Sequence, residues 1–98
     1  MENIKDLVII GSGPAGLSAA VYPSRAMIDQ VVMEKEMFSG GQIVTTDRID
    51  NYLGLYGENG YDLSVKFRQH ADELKVPFVE GQVTSIEDKG EIKEITLE

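Results

Sequence analysis

Four apolar positions in a row, Leu7 to Ile10, emerge from a polar, charged start and run straight into Gly11. The run from Asp6 to Ile10 does not alternate, and an unbroken apolar run is the pattern of a parallel strand covered on both faces. From Pro14 onward the apolar positions switch to helical spacing, with Leu17, Ala20 and Val21 on one side and the small residues Ser18 and Ala19 beside them. Pro23 interrupts this helix. A proline inside a helix removes one hydrogen bond and its ring presses on the carbonyl four residues earlier, at a cost of about 3 kcal/mol. The pattern therefore predicts a kink or an early end near Tyr22. Gln30 to Glu34 forms a second short strand around Val31, Val32 and Met33.

The second half alternates between order and irregularity. Lys35 to Gly60 shows no clear period and is punctuated by Gly40, Gly41, Gly54, Gly57 and Gly60. Asp62 to Leu74 is amphipathic: Leu63, Phe67, Ala71 and Leu74 share a face, with Asp62 or Ser64 as candidate caps. Val76 to Glu80 is a short strand whose Pro77 suits an edge or a first position. Gln82 to Glu87 and Glu91 to Leu97 then form a hairpin joined at Asp88-Lys89-Gly90. The sum is an α/β chain, a parallel sheet with helices and a small β hairpin.

The junction of the first strand and helix reads Gly11-Ser12-Gly13-Pro14-Ala15-Gly16. Strand, glycine turn, helix, strand and terminal acid, in that order, make the fingerprint of a dinucleotide-binding βαβ unit. Gly11 lets the strand turn, Gly13 lets the backbone approach a pyrophosphate, and Gly16 lets helix pack on strand. Main-chain N–H groups from Ser12 to Ala15, at the positive end of the helix dipole, are the candidate anion-binding donors. Pro14 at the first helical position loses nothing, since its N–H would have had no intrahelical partner. Glu34 follows Gly16 by 18 residues, where a carboxylate accepts hydrogen bonds from a free ribose 2′-OH. These glycines alone do not distinguish FAD from NAD.

Composition narrows the picture. Ninety-eight residues make one small domain or part of a larger one. Acidic residues outnumber basic ones 17 to 9, a net charge of −8 that repels nucleic acid and anionic lipid. A diphosphate remains compatible, because its candidate ligands are backbone amides. With no cysteine and one histidine, the chain holds neither a thiol nucleophile nor a multi-histidine metal site. The N-terminal apolar run is too short for a signal segment or a membrane span, so the default expectation is a cytoplasmic location. His70 lies at the edge of the apolar stripe with no carboxylate or nucleophile spaced to assist it. In the irregular segment, Gly40, Gly41, Gln42, Thr45, Thr46 and Asn51 are either a ligand-lining set or an ordinary surface loop.

The stretches DLVIIGSGPAGLSAAVYPSRA, MEKEMFSGGQIVTT and IDNYLG together resemble the N-terminal FAD-binding segment of low-molecular-weight thioredoxin reductases. The flavoprotein subunit of alkyl hydroperoxide reductase and the thioredoxin-reductase-like ferredoxin–NADP reductases share much of it. The resemblance implies a Rossmann-like, three-layer FAD/NAD(P)-binding fold, with residues 1–98 as the first portion of one FAD domain. It implies FAD held by Gly11, Ser12, Gly13, Pro14 and Ala15 at the pyrophosphate and by Glu34 at the adenosine ribose. Gly41, Gln42 and Asn51 would lie along the flavin, with Thr46 as a less closely matched position, and the Val83 backbone would meet the adenine. For the parent protein it implies NADPH as reductant, a thioredoxin-like protein or other disulfide as acceptor, and a homodimer. The chain departs from the family pattern at Pro23, where alanine is usual, and at Leu53, where proline is usual. The family's CxxC pair, second glycine motif and late flavin-binding strand are not in this sequence, so no catalytic acid, base or nucleophile is assigned. The residues alone also fit a non-catalytic nucleotide-binding module.

Overall fold

A computed structural model describes residues 4–36 and 38–98. Three parallel strands, β1 (Leu7–Ile10), β2 (Gln30–Glu34) and β3 (Phe78–Glu80), form a sheet in the order β1-β2-β3. Helix α1 (Pro14–Arg25) connects the first two, and α2 (Gly60–Glu73) precedes the third. A separate antiparallel pair, β4 (Val83–Asp88) and β5 (Lys93–Leu97), closes the chain. The α/β class and the hairpin expected from the sequence are both present.

Register decides which side chains meet. Ile9 pairs with Val32, and Val32 with Phe78, so these three project from one face of the sheet. On that face they join Leu17 and Ala20 of α1 with Phe67 and Ala71 of α2, plus Leu74 and Val76 just beyond it. Each fully buried aliphatic side chain here contributes about 2 kcal/mol by leaving water. Ile10 and Val79, on the other face, are exposed, and Met33 beside them is half-buried. Of the three expected layers, sheet and helices on one face are thus described. Gln30 begins β2 fully buried, its amide nitrogen donating 2.9 Å to the Ala20 carbonyl of α1.

Several boundaries differ from the sequence expectation for identifiable reasons. Helix α1 does not end near Tyr22; it continues through Pro23 to Arg25. Pro23 falls in the last turn, and its own carbonyl accepts from Ile28 at 2.9 Å while Ser24 accepts from Met27 at 3.2 Å. This paired bonding is a Schellman stop, with Met27 in the left-handed region at φ 59°. Helix α2 ends the same way: Lys75 (φ 60°) donates to Asp72 and Val76 donates to Ala71. Neither stop contains the glycine that usually marks one.

The start of α2 also differs. Its cap is Asn59, not Asp62 or Ser64; the Asn59 side chain accepts from Tyr61 N at 2.9 Å and Asp62 N at 3.2 Å. Ser64 is instead buried, its hydroxyl donating to the Gly60 carbonyl. The predicted strand from Val76 begins at Phe78, because the Val76 side chain turns into the core while the Pro77 carbonyl accepts from Val32 N. In the hairpin a register shift between Val83 and Ser85 leaves Thr84 as a bulge. The turn closes with Gly90 N donating to the Asp88 carboxylate. That bond and the Lys93 ammonium hold the Asp88 pKa below its usual value.

Candidate dinucleotide-binding site

Strands β1 and β2 end side by side, and everything of chemical interest collects at that end. Gly11 N donates to the Met33 carbonyl at 2.7 Å, which carries the ladder one step past β1 before the chain turns. Gly11 makes the turn at φ 95°, a backbone conformation closed to most side chains. Gly16 has a different reason to be glycine: a Cβ there would collide with the Gly11 carbonyl. Gly13 has a third. Its φ of −68° is ordinary, and a Cβ would find only the Gly40 carbonyl oxygen at 3.8 Å. Fold alone does not demand glycine at 13, and its backbone lies open to approach.

The main-chain donors divide in the same way. Ser12 is fully buried, and both its N–H (2.9 Å) and its hydroxyl donate to one oxygen of Glu34. Pro14 has no N–H. The free donors are therefore Gly13, Ala15 and Gly16, whose N–H groups have no protein partner among the described residues. They sit at the N-terminus of a twelve-residue helix with no acidic residue in its first turn. Unpaired donors at the positive end of a helix dipole are a site for a phosphate or carboxylate. This refines the expectation for Ser12 to Ala15: Ser12 positions Glu34, and Gly16, which the sequence reading assigned to packing, joins the donor set.

Glu34 ends β2 on the helix-bearing face. Its second oxygen accepts from Glu36 N at 3.0 Å. Partial burial pushes its pKa up, but the bonds from the Ser12 hydroxyl and from the Glu36, Ser12 and Lys35 N–H groups outweigh it and hold the carboxyl below its usual value. It is thus an anchored carboxylate, with one oxygen filled by Ser12 and acceptor capacity left on the other for a ribose hydroxyl.

The irregular segment reaches the same corner. Gly40 N donates to the Ser12 carbonyl at 2.9 Å, and a Cβ on Gly41 would lie 3.5 Å from Gly13 Cα. The two glycine loops therefore touch. A 3-10 turn (Gly41–Thr45) follows, which the sequence did not announce. Beyond it lies a cleft of about 310 Å³ whose lining includes Pro14, Thr46, Asn51, Arg48 and Tyr52, over a floor of Ile43, Leu63 and Phe67. Of the expected flavin-side residues, Thr46 and Asn51 line this cleft. Gln42 is exposed on the 3-10 turn and does not. Arg48 and Tyr52 were missed; their only signal was proximity to Asn51. Leu53, 98% exposed, occupies the second position of a turn in which Leu55 N donates to Tyr52 O at 3.0 Å with Gly54 at φ 88°. The turn forms without proline. Val83 lies two residues past Gly81, whose N–H donates to the Glu34 carbonyl at 2.8 Å, so the hairpin enters beside the acid.

The fold and this corner define the class: a Rossmann-type unit with a dinucleotide-binding βαβ motif. The pyridine nucleotide-disulphide oxidoreductase family matches residues 5–97, and the chain belongs to it. A thioredoxin reductase from Listeria monocytogenes is 39% identical over 95 residues, which cover 97% of this chain and 30% of that protein. One from Ureaplasma parvum is 38% identical over 96 residues, 98% of this chain and 31% of that one. The crystal structure of Lactococcus lactis thioredoxin reductase superposes with a TM-score of 0.91 at 41% identity, over 97% of this chain and 31% of that chain. The Streptococcus pyogenes thioredoxin reductase structure gives 0.89 at 35% identity, over 96% and 30%. The chain thus spans under a third of the length of the curated relatives it matches.

Proposed function

We propose that this chain is the FAD-holding part of an NADPH-dependent disulfide oxidoreductase of the thioredoxin reductase type, and that residues 1–98 correspond to the first portion of its FAD domain. The observation that carries the reading is the convergence, at one end of the sheet, of three unpaired N–H groups, an anchored carboxylate and a second glycine loop. Such a corner fits a dinucleotide: donors for the diphosphate, Glu34 for the adenosine ribose, and an open cleft for the ring beyond. When bound, FAD supplies the two-electron chemistry that links a nicotinamide to a disulfide.

The chain's own residues bind and orient. Gly13, Ala15 and Gly16 donate to the diphosphate, with Gly11, Ser12 and Pro14 shaping the turn that presents them. Thr46 and Asn51 border the flavin in the cleft, Gly41 and Gln42 sit on the 3-10 turn that leads to it, and the Val83 backbone meets the adenine. The acceptor in this reading is a thioredoxin-like protein, and the setting is a cytoplasmic homodimer. The crystal structure of a ferredoxin-flavin thioredoxin reductase from Clostridium acetobutylicum, at 32% identity and a TM-score of 0.86, favours a second reading in which ferredoxin is the reductant. Purified protein is expected to carry flavin absorbance bands and to bind FAD more tightly than NAD in calorimetric titration. A colourless protein that does not take up added FAD overturns the proposal. Bleaching of the flavin by NADPH under anaerobic conditions selects the first reductant, and bleaching by reduced ferredoxin alone selects the second.

A further inference from the structure

We propose that Arg68 is a positioning residue for the flavin half of the site, holding the Phe38–Gly41 loop against the phosphate-binding turn; the proposal rests on the FAD reading above. Arg68 projects from the middle of α2, far in sequence from the glycine motifs. Its guanidinium lies 3.5 Å from the centroid of the Phe78 ring at the start of β3, and its Nε donates to Asp72 at 3.1 Å. These two contacts fix the plane of the guanidinium, since a stacked and forked arginine has few remaining orientations. The Nη1 group then donates to the Ser39 hydroxyl at 3.1 Å, across 29 residues of sequence.

Ser39 is 3% exposed, so its hydroxyl depends on a protein partner. The next residue, Gly40, donates to the Ser12 carbonyl, and Ser12 donates to Glu34. A path of three hydrogen bonds therefore runs from α2 through the loop to the acid at the ribose position. Among the described residues, the Arg68 and Ser12 bonds are the two that tie Phe38–Gly41 to other elements. Ser64 packs under Gly40 from the same helix, but its hydroxyl is committed to the Gly60 carbonyl. Without Arg68 the loop keeps its link to the turn and its packing on Ser64 but loses its hydrogen bond to the helix. Gly41, which lies against Gly13, is then held less firmly.

In the FAD reading this loop leads into the 3-10 turn whose Ile43 lines the ring cleft, whereas the adenosine diphosphate half is held by Gly13, Ala15, Gly16 and Glu34. This separation makes the role measurable. Titrating the purified, flavin-stripped protein with FAD and with ADP, Arg68→Met is expected to weaken FAD about tenfold, as for loss of a hydrogen bond from a charged donor. ADP affinity is expected to stay within about twofold. Ser39→Ala is expected to weaken FAD by a similar factor, and the double variant to be no worse than Arg68→Met alone, because both remove one link. Equal losses for FAD and ADP, or single effects that multiply in the double variant, would overturn the proposal in favour of a general structural role. If Arg68→Met does not fold, Ser39→Ala carries the same test. Unchanged FAD affinity in both variants overturns this inference alone, while wild-type protein that binds ADP but not FAD overturns it together with the flavin assignment.

Discussion

The two glycine-bearing segments that meet at this corner are built on opposite principles. The turn from Gly11 to Gly16 is made by local necessity: a positive φ at Gly11, a carbonyl against Gly16, and open space at Gly13 all arise within six residues. The segment from Phe38 to Gly60 is made by distant partners. Ser39 depends on Arg68, Gly40 on Ser12, and Gly60 fits because a side chain there would strike the carbonyls of Ile43 and Thr46. In the proposed reading, local construction makes a rigid anchor for the invariant part of a dinucleotide, the diphosphate. Construction by remote contacts makes a wall that sequence changes elsewhere can adjust.

The largest effects should separate folding from binding inside the first segment. Gly16→Val is expected to cost about 3 kcal/mol or more of stability, because the branched side chain meets backbone that cannot move aside. Gly13→Val is expected to melt close to wild type while dinucleotide binding is lost, since the proposed function gives the open space it fills to the ligand. Paired thermal melts and FAD titrations check both. Similar melting temperatures for the two variants would erase the distinction between the glycines.

Glu34 gives a pH test of the link between the turn and β2. Its folded-state pKa lies below its ordinary value, so the unfolded chain takes up a proton first as pH falls. The stabilisation it provides is therefore complete above the ordinary glutamate range and is lost as pH falls through the depressed folded value. Denaturant melts across the acid range are expected to show a steeper loss for wild type than for Glu34→Gln. Parallel profiles would mean that Ser12 and Glu34 do not hold each other.

Smaller effects probe the second segment. Asn59→Ala removes the side-chain acceptor for two N–H groups at the start of α2 and is expected to cost about 1 kcal/mol in urea unfolding. Leu53→Pro is expected to add about 0.5 kcal/mol, because proline suits the second position of this turn and restricts the unfolded chain. Destabilisation by Leu53→Pro would show that the loop is held in another geometry.

The same contrast explains what could be read from sequence. The βαβ unit, its three glycines and Glu34 were legible because each signal is local: an unbroken apolar run, a fixed glycine spacing, an acid at the right distance. The helix ends were not. Both stops place Met27 and Lys75 where glycine is usual, and Pro23 falls in the final turn, which Ala26, Met27 and Ile28 close by donating to Tyr22, Ser24 and Pro23. Asn59 escaped notice as a cap because Asn-Gly reads first as a turn. Ile49, buried through a bridge to Glu58, carries no periodic signal at all. Arg48 and Tyr52 entered the cleft by the same route, through contacts that only the fold reveals.

The central claim is that the N–H groups of Gly13, Ala15 and Gly16 receive a diphosphate. Amide chemical shifts of isotope-labelled protein, followed during titration with ADP and separately with adenosine, test this most directly. The account predicts that these three amides shift strongly with ADP and little with adenosine, while Ser12 N, already donating to Glu34, moves less. Saturation with ADP that leaves all three resonances in place would contradict it.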